Sequence, residues 1–124
     1  MKIQSILIVD DNEADQLIAN IAITDYDDQI TLYKAYDGQE ALELLNTLAE
    51  PPSLLLLDIN MPRMGGFEFL DRYKALHDAS AVVVMLSSSN QEKDKQKAFS
   101  SGLVKHYIIK PLETKDLAAL AQSA

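Results

Sequence analysis

The chain has 124 residues, about one domain's length. Its composition, 48% hydrophobic and 24% charged, is that of a globule, and it excludes a disordered tail, a collagen-like repeat and a coiled coil. No cysteine is present, so there is no disulfide framework, thiolate zinc site or cysteine nucleophile; 11 Lys and Arg against 19 Asp and Glu give a net charge of −8, which argues against direct nucleic-acid binding.

Met1 to Ser5 lead into the short apolar run Ile6-Leu7-Ile8-Val9, which reads as a buried strand and ends at Asp10 and Asp11. It is too short for a signal peptide, and the longest purely apolar run, Ala81 to Leu86, is far below the ~20 residues of a membrane span. A cytoplasmic protein with no membrane partner is expected. Asn12 to Thr24 has helical spacing, with Leu17, Ile18, Ile21 and Ala22 on one side and Asn12 with Asp15 as a capping pair. Asp25-Tyr26-Asp27-Asp28 is turn-like, and Ile30 to Ala35 is a second strand. Asp37 fits a helix cap with Glu40 three residues on, and Ala41, Leu44, Leu45 and Leu48 form the apolar stripe that follows. Pro51-Pro52 breaks that helix.

Leu54 to Leu57 is a third apolar run, ending at Asp58; Met61 to Gly66 is a loop and Phe67 to His77 a third helix. Ala81 to Leu86 is the most β-branched strand and ends in Ser87-Ser88-Ser89. Gln91 to Ser101 is a polar helix closed by Gly102, with only Ala98 and Phe99 to bury, and so is expected to be marginal. Tyr107-Ile108-Ile109 is a short fifth strand ending at Lys110-Pro111, and Thr114 to Ala121 is the last helix.

Strand and helix alternate five times, and the strands lack a polar face. Such strands belong in a parallel sheet covered on both sides by helices. The expected fold is a doubly wound, flavodoxin-like α/β sandwich with strand order 2-1-3-4-5, filling residues 1–124 as one domain. Ligands of such sheets bind beyond the carboxyl ends of the strands. Those ends carry Asp10 and Asp11, Asp58, Ser87 and Lys110. Three carboxylates in one crevice repel one another, and a hard divalent cation relieves the conflict. Mg²⁺ suits this donor set, with Mn²⁺ as a substitute. The combination of metal, ammonium, hydroxyl and a carboxylate free to attack is that of a phosphoryl-transfer centre. Taken singly, each has a plainer reading: Asp10-Asp11-Asn12 as a helix cap, Asp58 as a turn residue, Ser87 to Ser89 as a capping run and Lys110 as a surface residue.

The acid pair Asp10-Asp11, the stretch Leu57-Asp58-Ile59-Asn60-Met61-Pro62-Arg63-Met64-Gly65-Gly66, Ser87 after an apolar strand and Lys110-Pro111 together resemble a response-regulator receiver domain of two-component signalling, the CheY-like type. The resemblance spans essentially the whole chain. It implies that Asp58 is the phosphoacceptor, that Asp10, Asp11 and Asp58 hold Mg²⁺ with the backbone carbonyl of Asn60, and that Ser87 bonds a phosphoryl oxygen. It further implies that Lys110 pairs with Asp58 and then with the phosphoryl group, that the Lys110-Pro111 bond is cis, and that Tyr107 is an aromatic switch. Asn60 and Ser89 would lie near the path of hydrolytic attack. The implied partners are a sensor histidine kinase or histidine phosphotransfer protein, and a downstream target docking on the face of helix 4, strand 5 and helix 5. The chain would modify its own Asp and not act as a turnover enzyme, working as a stand-alone receiver.

Two features depart from the family's commonest form. Ser87 stands where Thr is usual, and the stretch from Gly102 to Tyr107 is a residue longer. Two other functions compete on the same sequence. One is a protein-interaction domain that needs no phosphorylation. The other is a flavin-nucleotide binder, against which Asp10-Asp11-Asn12 speaks, since the acids repel a phosphate where a Ser/Thr/Gly-rich loop would be needed. A metal-dependent phosphatase lacks a second nucleophile-plus-acid arrangement after a strand.

Overall fold

Strands that are apolar on both sides must be covered on both sides, and the chain does this by alternation. The computed structural model describes residues 1–76 and 80–123. In chain order the elements are β1 (Ser5–Val9), α1 (Glu13–Tyr26), β2 (Thr31–Ala35), α2 (Gly38–Thr47), β3 (Leu54–Leu57), α3 (Gly66–Leu76), β4 (Val82–Ser87), α4 (Glu92–Ser100), β5 (Val104–Ile109) and α5 (Thr114–Gln122). The strands form one parallel sheet in the order β2-β1-β3-β4-β5. The expected end of the third helix at His77 lies outside the described residues.

Alternate side chains of each strand feed two separate cores. Leu7, Val9, Leu55, Leu57, Val83 and Met85 point to the layer built with Ala41, Leu42, Phe69, Leu70 and Tyr73. Ile6, Ile8, Leu54, Leu56, Val84 and Leu86 point to the other, built with Ala19, Ala22, Ile23, Leu117 and Leu120. Thus α2, α3 and α4 cover one face, and α1 and α5 the other. Right-handed crossovers impose this split when the strand order reverses beside β1.

Among the helices, three expectations are corrected. Helical spacing puts the apolar stripe of α1 on Leu17, Ile18, Ile21 and Ala22, but the buried line is Gln16, Ala19, Ala22 and Ile23. Leu17 is 58% exposed, Ile18 42% and Ile21 60%. Apolar residues occupy most of this helix's circumference, so spacing alone does not choose the inward face; small alanines allow close approach to the sheet, and Gln16 finds buried partners there. The helix also runs on through Asp25 and Tyr26, which read as a turn. In α4, Ala98 is buried but Phe99 is 45% exposed, leaving this helix with still less apolar anchoring than expected.

Strand β5 begins at Val104 and not at Tyr107. Its pairing with β4 jumps from Val83↔Val104 to Val84↔His106, so Lys105 is bulged out of the ladder. The bulge absorbs the extra residue between Gly102 and Tyr107 and returns Tyr107 to register opposite Met85.

Candidate functional site

Asp10 and Asp58 are the first residues past two central strands. Each is fixed by a backbone bond to its neighbour, Asp10 N–H to the Ala35 carbonyl (3.0 Å) and Asp58 N–H to the Val9 carbonyl (2.9 Å). One carboxylate oxygen from each of Asp10, Asp11 and Asp58 lies within 4.8 Å of the others. Asp10 and Asp58 are buried, whereas Asp11 faces water. Asp10 Oδ1 accepts from Asn12 N–H (2.9 Å), and Asp58 Oδ1 accepts from Ile59 N–H (2.9 Å).

Lys110 reaches in from the end of β5, where its N–H is bonded to the Ser87 carbonyl (2.9 Å) and its peptide to Pro111 is cis. The ammonium Nζ lies 2.8 Å from Asp10 Oδ2, 2.9 Å from Asp15 Oδ2 and 3.5 Å from Asp58 Oδ2. The resemblance implies pairing with Asp58; the closer partners here are Asp10 and Asp15. Burial pushes the Asp58 carboxyl up to about 6, with Lys110 opposing the shift and Asp10 adding to it. For Lys110 burial works towards a lower value, but bonds to Asp10 and Asp15 and the charge of Asp58 outweigh it and raise the ammonium above its ordinary range.

Three carboxylates thus share a single ammonium, and a fourth, that of Asp11, joins Asp10 and Asp58 without one. The anionic charge left over, carried by hard oxygen donors with Asp11 exposed on one side, is the chemistry that fits Mg²⁺. Asn60 is exposed at the start of the loop that follows Asp58.

Ser87 is buried at the end of β4, and its Oγ accepts from Ser89 N–H (3.1 Å). Tyr107 is half-buried, and its hydroxyl donates to the Ser89 carbonyl (2.8 Å). The Ser89 hydroxyl donates to Asp94 Oδ2 in α4 (2.6 Å). Ser87, Tyr107 and α4 therefore meet at Ser89, a link that residues so separated in the chain gave no means of foreseeing.

Further contacts shape the site beyond the residues that the sequence singles out for its chemistry. Gln16 is buried, and its Nε2 donates to the carbonyls of Ile8 (3.2 Å), Asp10 (3.1 Å) and Ala35 (3.0 Å), tying α1 to the ends of β1 and β2. Asp37, the cap of α2, also accepts from Arg63 Nε (2.8 Å), and Arg63 holds a left-handed backbone at φ 60°. Beside it Gly38 N–H bonds the Met64 carbonyl (2.9 Å), and a Cβ at Gly38 would lie 2.7 Å from Met64 Cγ. This clamp holds the loop after Asp58 against α2. At its far end a Cβ on Gly66 would collide with the Asp58 carbonyl, so only glycine lets the loop close over β3.

Comparison with known proteins agrees with this arrangement. The family model described as response regulator receiver domain matches residues 6–122. The nitrate/nitrite response regulator protein NarL of Escherichia coli is 35% identical over 121 residues, covering 97% of this chain and 54% of NarL. The chain therefore spans about half the length of that curated relative. Among solved structures, a two-component response regulator from Cytophaga hutchinsonii superposes with a TM-score of 0.88 at 30% identity, covering 98% of this chain and 96% of its own. The CheX-CheY-BeF3-Mg complex from Borrelia burgdorferi gives 0.84 at 26% identity, covering 97% of this chain and 87% of that one. A family match over nearly all of the chain, on a fold that brings the acids to one edge, leads to a single assignment: this chain belongs to the response-regulator receiver domain family, the CheY-like receivers of two-component signalling.

Proposed function

We propose that residues 1–124 form a single receiver whose Asp58 takes a phosphoryl group from the phosphohistidine of a sensor histidine kinase or histidine phosphotransfer protein. One observation carries this reading: the buried carboxylate of Asp58 shares one sheet edge with the acid pair Asp10-Asp11 and with the ammonium of Lys110. In the reaction a carboxylate oxygen of Asp58 attacks phosphorus, the P–N bond breaks, and the imidazole departs with the electron pair and takes up a proton. The product is an acyl phosphate on Asp58.

Asp10, Asp11 and Asp58, with the Asn60 carbonyl, are the groups that would hold Mg²⁺, which when bound offsets charge on the phosphoryl oxygens. Lys110 supplies a further positive charge beside Asp58. Receivers are generally not turnover enzymes, and this chain would act once on its own side chain before water releases the phosphate. Asn60 and Ser89 flank the route that this water takes. A cytoplasmic setting suits this reading, and no described helix is long and apolar enough to cross a membrane.

The output is a shift between two conformers. Ser87 exchanges its bond to Ser89 N–H for a phosphoryl oxygen, and the loop carrying Ser89 moves with it. Tyr107 and Asp94, both bonded to Ser89, transmit that movement to β5 and α4. The exposed Phe99 and Ile109 lie on these elements and provide an apolar surface for a downstream target on the α4-β5-α5 face.

The test is intact mass after incubation with a small-molecule phosphodonor and Mg²⁺. The wild type gains one phosphoryl group, and Asp58→Asn gains none. No adduct on the wild type would favour an interaction domain independent of phosphorylation.

A further inference from the structure

The nearest two of the three carboxylates around Lys110 are not the proposed acceptor. Its Nζ is 2.8 Å from Asp10 and 2.9 Å from Asp15, against 3.5 Å from Asp58. Asp10 belongs to the strand end and is held by Asn12 N–H. Asp15 is a different kind of partner. It stands in the first turn of α1, outside the cluster of Asp10, Asp11 and Asp58, with its side chain 33% exposed.

The backbone that presents Asp15 is firmly set. Its N–H is capped by Asn12 Oδ1 (3.0 Å), and the next residue, Gln16, is anchored on three carbonyls at the ends of β1 and β2. An ammonium shared by Asp10 and Asp15 is drawn towards α1 and away from Asp58.

Resting on the reading of Asp58 as phosphoacceptor, we infer that Asp15 is a positioning residue, a restraining counter-ion that holds Lys110 on the α1 side of the site and must release it when an anion forms on Asp58. The anion on Asp58 competes with Asp15 for the same ammonium. Asp15 thereby lowers the site's affinity for that anion and biases the unmodified protein towards rest. An acid that acts through Lys110 in this way differs from one that only adds negative charge to the neighbourhood, and the two are separable by experiment.

The probe is fluoroberyllate, a phosphoryl mimic, added with Mg²⁺ to the full chain and followed by tyrosine fluorescence. Asp15→Asn is expected to bind it about fivefold more tightly than the wild type. Asp15→Glu, which keeps the charge within reach of Lys110, stays near the wild type. Glu13→Gln removes an acid of the same helical turn that faces Tyr36 and not Lys110, and it leaves the affinity nearly unchanged. In a Lys110→Ala background, titrated to the higher concentrations a weaker site needs, Asp15→Asn gives no further gain.

An unchanged or weakened Asp15→Asn would overturn the inference, as would an equal gain from Glu13→Gln or a gain that persists without Lys110. Should the wild type itself bind no fluoroberyllate, the reading of Asp58 as acceptor fails and takes the inference with it. Binding by the wild type with no gain in Asp15→Asn removes the inference alone.

Discussion

A buried carboxylate that nothing fully neutralises is a liability to the fold, and Asp58 is such a group. Burial raises its pKa to about 6, while the unfolded chain has it near 4. The folded state therefore holds the proton more tightly. This group's contribution to stability is fully present below about pH 4 and is lost as pH rises through about 6. In metal-free buffer at pH 7.5, about the upper end of the physiological range where His switches, Asp58→Asn should unfold at a higher temperature than the wild type, by roughly 4 °C for each 1 kcal/mol gained. The gain should shrink as the pH is lowered through about 6 and 4. Calorimetry of the two proteins across this range checks it. Asp37 has the opposite sign. Its burial works to raise the pKa, but the bonds from Arg63 and from the Glu40 N–H outweigh it and hold the carboxyl below its ordinary value. Its contribution is present above the ordinary carboxylate range and is lost as pH falls through its lowered pKa. Asp37→Ala should cost about 1–2 kcal/mol in urea unfolding at neutral pH, with the deficit narrowing in acid. Gln16→Leu removes the donor shared by the carbonyls of Ile8, Asp10 and Ala35, of which Ala35 keeps its bond from Asp10 N–H, and should cost about 1–2 kcal/mol.

The helices differ in how firmly they are held, and that difference belongs to the elements. α2 is capped by Asp37, packs Ala41 and Leu42 into the core, and is clamped to the loop after Asp58 by Gly38. α4 buries Ala98 alone, has no side-chain cap on its first turn, and is tied through Asp94 to Ser89. Amide exchange should show α4 opening well before α2, and equal protection of the two would contradict the mobile role given to α4. The exposed Leu17, Ile18 and Ile21 form an unpartnered apolar stripe on α1, which begins three residues after Asp10. Leu17→Ser with Ile21→Ser should slow phosphoryl transfer from a protein donor about tenfold while leaving labelling by a small-molecule donor unchanged. That stripe also marks where sequence reading stopped short. Leu54 to Leu57 could only be a doubly covered strand, whereas α1 offered two apolar lines and only the sheet chose between them. The sequence was likewise silent on the bulge at Lys105, because an extra residue between two elements does not say which position leaves the ladder.

On the scale of the whole molecule, alternation and strand order decide the site. Reversal of strand order beside β1 brings Asp10 and Asp58 next to each other across 48 residues of chain, and β5 carries Lys110 to the same edge from 52 residues further on. This convergence was legible in the sequence, since each acid ends an apolar run and the parallel order of the runs fixes which ends are shared. Side-chain pairings inside the cluster were not legible: Asp15 lies in a helix and Ser89 in a loop, and no periodicity tells which carboxylate an ammonium will prefer. The central claim is that Asp58 and no other acid accepts the phosphoryl group. Borohydride reduction of the labelled protein converts an acyl phosphate to a primary alcohol, and peptide mass spectrometry reads the position. The account predicts homoserine at position 58 alone, formed only when Mg²⁺ is supplied; reduction at Asp10 or Asp11, or labelling undiminished by removal of the cation, would contradict it.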